Sequence, residues 1–177
     1  FLMYSIHTMK AVILAAGEGR RMLPLTLNTP KPLLQFRGKP ILDHIFDEFP
    51  GEIDEAIVVV KYLGDQIKTY LGSTYKGRNV RYAEGSEKGS AFSFFASRPH
   101  INKGERFFII QGDEPQQKGE LDECLRHDYA WVCSEEPGHR LTGRALMDAE
   151  GRIVGIAELS DDPNVSRWSA MGTMLVN

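Results

Sequence analysis

Lys10-Ala11-Val12-Ile13-Leu14-Ala15-Ala16-Gly17-Glu18-Gly19-Arg20-Arg21 is an apolar run that stops abruptly on two glycines and two arginines. The run is too short for a core helix, so it reads as a strand buried on both faces. The glycines after it allow a turn in which backbone N–H groups approach an anion closely, because no Cβ stands in the way. A lysine, an apolar run and small residues also imitate a secretory leader. That reading fails because the run is at the short limit of an h-region and Glu18, Arg20 and Arg21 close it at once.

Two more runs of the same kind stand at 56–60 and 107–110, and a shorter strand at 80–83. Helical patterns lie between them. Pro40 suits a first turn, and Ile41, Leu42, Ile45, Phe46 and Phe49 follow at helical spacing until Pro50-Gly51. A second helix is expected over 63–71, stopped by Gly72, and a third over 90–97, before Pro99. Strand and helix in alternation predict an α/β fold, a parallel sheet with helices on both faces. Past Asp113 the pattern changes to a helix at 121–127 and a strand at 130–133. Strands at 144–147 and 153–157 follow as an antiparallel pair around Asp148-Ala149-Glu150-Gly151, with a last strand at 171–176. No repeat or linker interrupts residues 9–177, which read as a single domain. Residues 1–8 carry no pattern and read as a disordered or appended extension.

A chain of 177 residues with 42% hydrophobic and 25% charged residues suits a soluble globular fold. The formal charge of −3 argues against coating nucleic acid or an acidic membrane, and no run approaches a transmembrane span. Cys124 and Cys133 match no zinc spacing and cannot form a disulfide framework, which suits a reducing, cytoplasmic setting. The five histidines, His7, His44, His100, His127 and His139, form no metal-spaced cluster. Trp131 and Trp168 read as packing groups. Phe92, Phe94 and Phe95 read as the face of a helix packed on the sheet, with Phe92 also a candidate edge of a base pocket.

The glycine turn is not a Walker A loop, since no Gly-Lys-Ser/Thr follows. Nor is it a good dinucleotide fingerprint, because Met22 stands where a third glycine belongs. Its cationic company is what points to chemistry. Arg20 and Arg21 adjoin it, and Lys31 follows in Thr29-Pro30-Lys31-Pro32. A proline-stiffened lysine and a loop arginine offset charge on a polyphosphate; the competing reading is a set of solvated surface cations.

The stretch 10–41, KAVILAAGEGRRMLPLTLNTPKPLLQFRGKPI, resembles the signature of the sugar-phosphate nucleotidyltransferases. Their pattern is roughly L-A-A-G-x-G-[ST]-R-[LM]-x-P-L-T-x-x-x-P-K-P-L-L-x-x-x-G-K-P-[LI], and Arg20 departs from it at the Ser/Thr position. The likeness continues through 53–60, Tyr62-Leu63, Gln66-Ile67, Gly89-Ser90-Ala91 and 107–113, and more loosely to Asn177. It implies the Rossmann-like three-layer α/β/α fold of nucleotide-diphospho-sugar transferases, with a mostly parallel mixed sheet. It implies transfer of a nucleotidyl group from an NTP to a sugar 1-phosphate, releasing pyrophosphate. Residue by residue, Leu14, Ala15, Ala16, Gly17, Glu18, Gly19, Arg20 and Arg21 would hold the nucleotide, with Gly89 and Ser90 framing its base. Arg21, Lys31 and Asp113 would be catalytic. Lys31 would also bridge to the acceptor beside Gly143 and Glu158, and Asp113 would bind Mg²⁺. A turn or N-cap role for Asp113 competes with that reading. The implied partners are an NTP and a phosphorylated small molecule, with neither nucleic acid nor membrane, and a homo-oligomer is left open.

Two departures bear on activity. Leu159 stands where the family's sugar-phosphate lysine follows the glutamate matched by Glu158. The family's second Mg²⁺-binding aspartate lies beyond a strand resembling Gly172-Thr173-Met174, so the likeness implies an abbreviated acceptor end. Asp161-Asp162 is a candidate substitute, against an acidic turn before Pro163. Three readings therefore stand: a sugar-1-phosphate nucleotidyltransferase, a cytidylyltransferase acting on phosphocholine or an acidic sugar, and a catalytically impaired nucleotide-binding module. Gln111-Gly112-Asp113-Glu114-Pro115 is similar to the cytidylyltransferases that activate acidic sugars, and Glu114 is a lesser candidate beside Asp113.

Overall fold

A computed structural model describes residues 9–135, 143–157 and 168–177. β1 (Met9–Ala15) runs through single 3₁₀ turns at Arg20–Met22 and Lys31–Leu33 into a small hairpin, β2 (Gln35–Phe36) and β3 (Lys39–Pro40), and then α1 (Ile41–Asp47). β4 (Ile53–Val60), α2 (Gly64–Leu71), β5 (Thr74–Tyr75), β6 (Arg78–Glu84), α3 (Ser90–Phe95) and β7 (Phe107–Gln111) follow. The chain continues through α4 (Glu120–Cys124), β8 (Ala130–Glu135), β9 (Arg144–Met147), β10 (Ile153–Ala157) and β11 (Trp168–Val176).

Among the described residues, nine strands form the main sheet in the order β10-β9-β11-β7-β1-β4-β6-β5, with β8 paired to β11 off that path. Its centre, β7-β1-β4-β6, is parallel. Both margins are antiparallel, β5 against β6 and β11 against β7, β8 and β9. The fold is the expected α/β sandwich.

Strand alternation sends side chains to two cores. Ala11, Ile13, Val58, Phe108 and Ile110 meet α1, α2 and α4 through Leu42, Ile45, Ile67 and Leu121. Val12, Ile57, Val59 and Ile109 meet Phe94, Ala96 and Ile101 on the opposite face. Burial on both sides explains why these strands read as continuous apolar runs.

Chain order places the cleft. From β1 the chain steps outward to β4 and β6, then returns to lay β7 on the other side of β1. The two directions part between β1 and β7, and a crevice opens beyond the carboxyl ends of strands at such a point. Gly17 and Gly19 leave β1 there, and Asp113 leaves β7 beside them.

Three local expectations are corrected. α3 ends at Phe95 and is followed by a 3₁₀ turn at Arg98–His100, and α4 covers only Glu120–Cys124. Only Phe94 of the phenylalanine triplet packs on the sheet, stacked on Phe107 at 6.2 Å. Phe92 and Phe95 are 55% and 62% exposed, because three residues apart on the helix they share one face, which is not the one that Phe94 turns to the sheet. The hairpin agrees in both strands. Asp148 Oδ1 accepts from Glu150 and Arg152 N–H and sets the turn, with Gly151 at φ +78°.

Candidate active site

A cleft of about 1230 Å³ opens at the strand ends. Its floor and one wall come from Leu14, Ala16 and the loop Gly17 to Met22. Gly19 has φ +64°, and a Cβ there would lie 2.9 Å from Thr26 Cγ2. A left-handed residue pressed against a buried neighbour is a position for glycine. Thr26 is fully buried, and its hydroxyl donates to Gly19 O at 2.9 Å. Tyr62 Oη donates to Thr26 O and Leu27 O at 2.9 and 3.0 Å, so the return of the loop is tied to the segment after β4.

The loop's two arginines differ. Arg20 pairs with Glu18 at 2.5 Å, and that hydrogen bond holds the exposed Glu18 carboxyl below its usual range. Arg21 makes no hydrogen bond or ion pair with the described residues and lines the cleft with its guanidinium uncommitted.

Lys31 reaches across the cleft and its ammonium pairs with Asp113 Oδ2. Gly112 lets β7 end this close to β1, because a Cβ on it would stand 3.0 Å from Leu14 O, and its N–H donates to that same oxygen at 2.9 Å. On the far side, Gly85 adjoins Ala16, where a Cβ would come within 2.5 Å of Ala16 Cβ. Ser93 Oγ donates to Ser86 O and accepts from Ser86 N–H, which pins the loop that carries Gly89 and Ser90.

The opposite wall is Ala170, Met171 and Gly172 of β11. Glu114 Oε2 accepts from Gly172 N–H at 2.7 Å. Burial pushes the Glu114 carboxyl up, opposed by that N–H and reinforced by the adjacent Asp113 charge.

Leu14, Ala16, Gly17, Glu18, Gly19, Arg20, Arg21, Lys31, Gly89, Ser90 and Asp113 therefore share one cleft. Ala15 does not line it. Alternation along β1 turns that side chain into the core, where it is 2% exposed. Gly143 accepts from Ala170 N–H at 2.9 Å and lies outside the cleft lining. Glu158, Leu159 and Asp161-Asp162 lie outside the described residues. Phe92 does not edge the cleft; Lys88 Nζ sits 5.9 Å above its ring. Lys61, Glu87 and Met171 join the lining without having been singled out in the sequence, and Tyr62, quoted there only as part of the likeness, joins it too. Sequence spacing marks none of them, since they are gathered from the ends of different strands.

The donor set suits Mg²⁺. Asp113 offers hard carboxylate oxygens at the strand end, and in this structure it already carries a cation, the Lys31 ammonium. Mg²⁺ takes one or two protein carboxylates and completes its shell with phosphate oxygens and water. Among the described residues no group of three His, Cys, Asp or Glu side chains surrounds a common point. No helix of the described residues is long and apolar enough to cross a membrane.

Residues 10–173 match the family model described as nucleotidyl transferase. The chain belongs to the nucleotidyl transferase family. Among family members, it is 31% identical over 156 residues to the bifunctional protein GlmU of Methanocaldococcus jannaschii, covering 88% of this chain and 37% of that protein. It is 38% identical over 107 residues to the UTP–glucose-1-phosphate uridylyltransferase AglF of Haloferax volcanii, covering 59% of this chain and 43% of that protein. The chain thus spans less than half the length of these curated relatives. In fold it is similar to the UDP-glucose pyrophosphorylase from Acinetobacter baumanii, with a TM-score of 0.79 at 16% identity over 96% of this chain and 74% of that one.

Proposed function

We propose that this nucleotidyl transferase family member transfers NMP from an NTP to a sugar 1-phosphate, in a Mg²⁺-dependent reaction that releases pyrophosphate. The observation that carries the reading is the meeting of Lys31 and Asp113 beside the Gly17–Gly19 turn, one cation and one carboxylate over a backbone anion site. The name of AglF supports a sugar 1-phosphate as acceptor. The free thiols of Cys124 and Cys133 suit a reducing, cytoplasmic setting.

In this reading an acceptor phosphate oxygen attacks the α-phosphorus. A new P–O bond forms, the bond to the β-phosphate breaks, and its electron pair leaves with pyrophosphate. No protein nucleophile is needed, so catalysis is positioning and charge stabilisation. Backbone N–H groups of the Gly17–Gly19 turn cradle the phosphates. Arg21, uncommitted in the cleft, stabilises charge on the leaving pyrophosphate. Lys31 exchanges the Asp113 carboxylate for phosphate oxygens and lowers the repulsion between two anionic substrates. Asp113 is the residue that would hold Mg²⁺, and the ion would supply positive charge to the phosphoryl oxygens.

Pyrophosphate release with each NTP, against sugar 1-phosphates and phosphocholine, tests the reading. Release with a sugar 1-phosphate, lost in Asp113→Ala, supports it. Release with phosphocholine alone favours the cytidylyltransferase reading. Thermal stabilisation by an NTP without turnover makes the chain a nucleotide-binding module.

A further inference from the structure

β11 does not run straight past the cleft. Against β8 it takes four steps, Ala170 to Met174, where its partner takes two, Cys133 to Trp131. The excess is a bulge at residues 171–173, and such bulges re-aim backbone next to functional sites. Sheet order gives the bulge its place. The loop bearing Gly89 and Ser90 follows β6, the glycine turn follows β1, and Asp113 follows β7. β11 comes next. A nucleotide with its base toward Ser90 and its phosphates on the glycine turn leaves the α-phosphorus on the Asp113 side, so the bulge is the wall that an acceptor meets.

The bulge is tied to the segment after β7. Glu114 Oε2 accepts from Gly172 N–H at 2.7 Å. Thr173 Oγ1 donates to the buried Gln116 Oε1 at 3.0 Å, and Gln116 Nε2 donates to Glu114 O at 2.8 Å. Trp131 Nε1 donates to Met171 O at 2.5 Å from the other side. The fit at Gly172 is close: a Cβ would stand 2.0 Å from Gln111 Cγ and 2.9 Å from Glu114 Oε2. An N–H given to a carboxylate is the strongest kind of tether available to such a backbone.

Resting on the transfer reading above, we infer that Glu114 is a positioning residue for the acceptor: it holds the Gly172 bulge at a set distance from Asp113. Asp113 and Glu114 then divide the work as neighbours, one facing the reacting phosphates and the other holding the wall opposite them.

The test compares Glu114→Ala with Glu114→Gln, whose amide oxygen still accepts from Gly172 N–H. Hydrogen exchange at the Gly172 amide is expected to quicken about tenfold or more in the alanine variant and to return toward the wild-type rate in the glutamine variant. The acceptor KM is expected to rise about tenfold in Glu114→Ala, with the NTP KM within about twofold of wild type and Glu114→Gln within about threefold in both. Unchanged exchange overturns the inference. So does a parallel rise in both KM values, or a glutamine variant as impaired as the alanine one. A wild-type chain that turns over no acceptor, yet protects Gly172 only with Glu114 in place, sinks the transfer reading and reduces the contact to a structural one, overturning positioning as well.

Discussion

Lys31 and Asp113 stand 82 residues apart in the chain and pair their charges across the strand ends of β1 and β7. Each is the group that the other would hand over on substrate binding, the ammonium to phosphate and the carboxylate to a divalent cation. On the proposed reading, removing one end of the pair would therefore disturb both substrate and metal binding. Lys31→Met is expected to lower turnover about 10²–10³-fold, the scale of losing one charge-stabilising donor. It should also abolish thermal stabilisation by NTP. Lys31→Arg keeps the charge but changes its geometry, so partial recovery is expected. Wild-type turnover in Lys31→Met would take Lys31 out of the mechanism.

Because the Asp113 carboxylate is ion-paired with Lys31, the fold is expected not to depend on a metal there. EDTA is expected to abolish pyrophosphate release and shrink the NTP-induced rise in Tm, leaving the nucleotide-free Tm unchanged. A fall in the nucleotide-free Tm would show a metal acting in folding.

Gly85 packs against Ala16 where the loop bearing Gly89 and Ser90 leaves the sheet. The Cβ of Gly85→Ala would come within 2.5 Å of Ala16 Cβ and 3.2 Å of Ser93 Oγ, so the loop must move. Overpacking of this kind costs about 1–3 kcal/mol. Calorimetry should also show NTP affinity falling about tenfold, or about 1.4 kcal/mol. An unchanged affinity would place the base elsewhere.

Thr26→Val keeps shape but removes the hydroxyl that donates to Gly19 O. Gly19 O keeps its hydrogen bond from Met22 N–H at 2.8 Å, so losing the Thr26 partner costs about 0.5–1.5 kcal/mol in denaturant unfolding. NTP binding should weaken, because the glycine turn loses its brace, while Glu105 variants remote from the cleft leave binding alone.

Glu105 reports on pH. Burial raises its carboxyl, but the hydrogen bond from Lys10, Asn102 N–H and the Lys10 charge outweigh burial and hold it below the usual range. A depressed folded value means stability that is present above the ordinary carboxyl pKa of about 4.3 and lost as pH falls through the folded value. Glu105→Gln should therefore lower stability by about 1.5–3 kcal/mol at pH 7. It should also flatten the acid limb of Tm against pH below about pH 4.3. An acid limb as steep as wild type would assign it to other groups.

Much of the fold is legible locally. The run ending at Ala16 and its glycines mark a buried strand and a glycine turn. Arg144–Met147 and Ile153–Ala157 stand where their alternation and the Asp148 turn put them. Ala15 shows where such reading stops. The signature spells Leu14, Ala15 and Ala16 as one block, but a strand alternates, and only the outer two face the cleft. Phe92 and Phe95 fail for a related reason: composition says aromatic, and only the helix's orientation says which ring is covered. Gly172 reads as an ordinary strand glycine until Glu114 is seen against its N–H.

The sequence by itself determined the alternation of strands and helices, the glycine turn and the family, since each is written in neighbours a few residues apart. Tertiary structure alone decided that Lys31 meets Asp113 and that Glu114 meets Gly172, 58 residues on. Those meetings follow from the reversal of strand order beside β1, which brings separate strand ends to one crevice, and no local periodicity encodes that order.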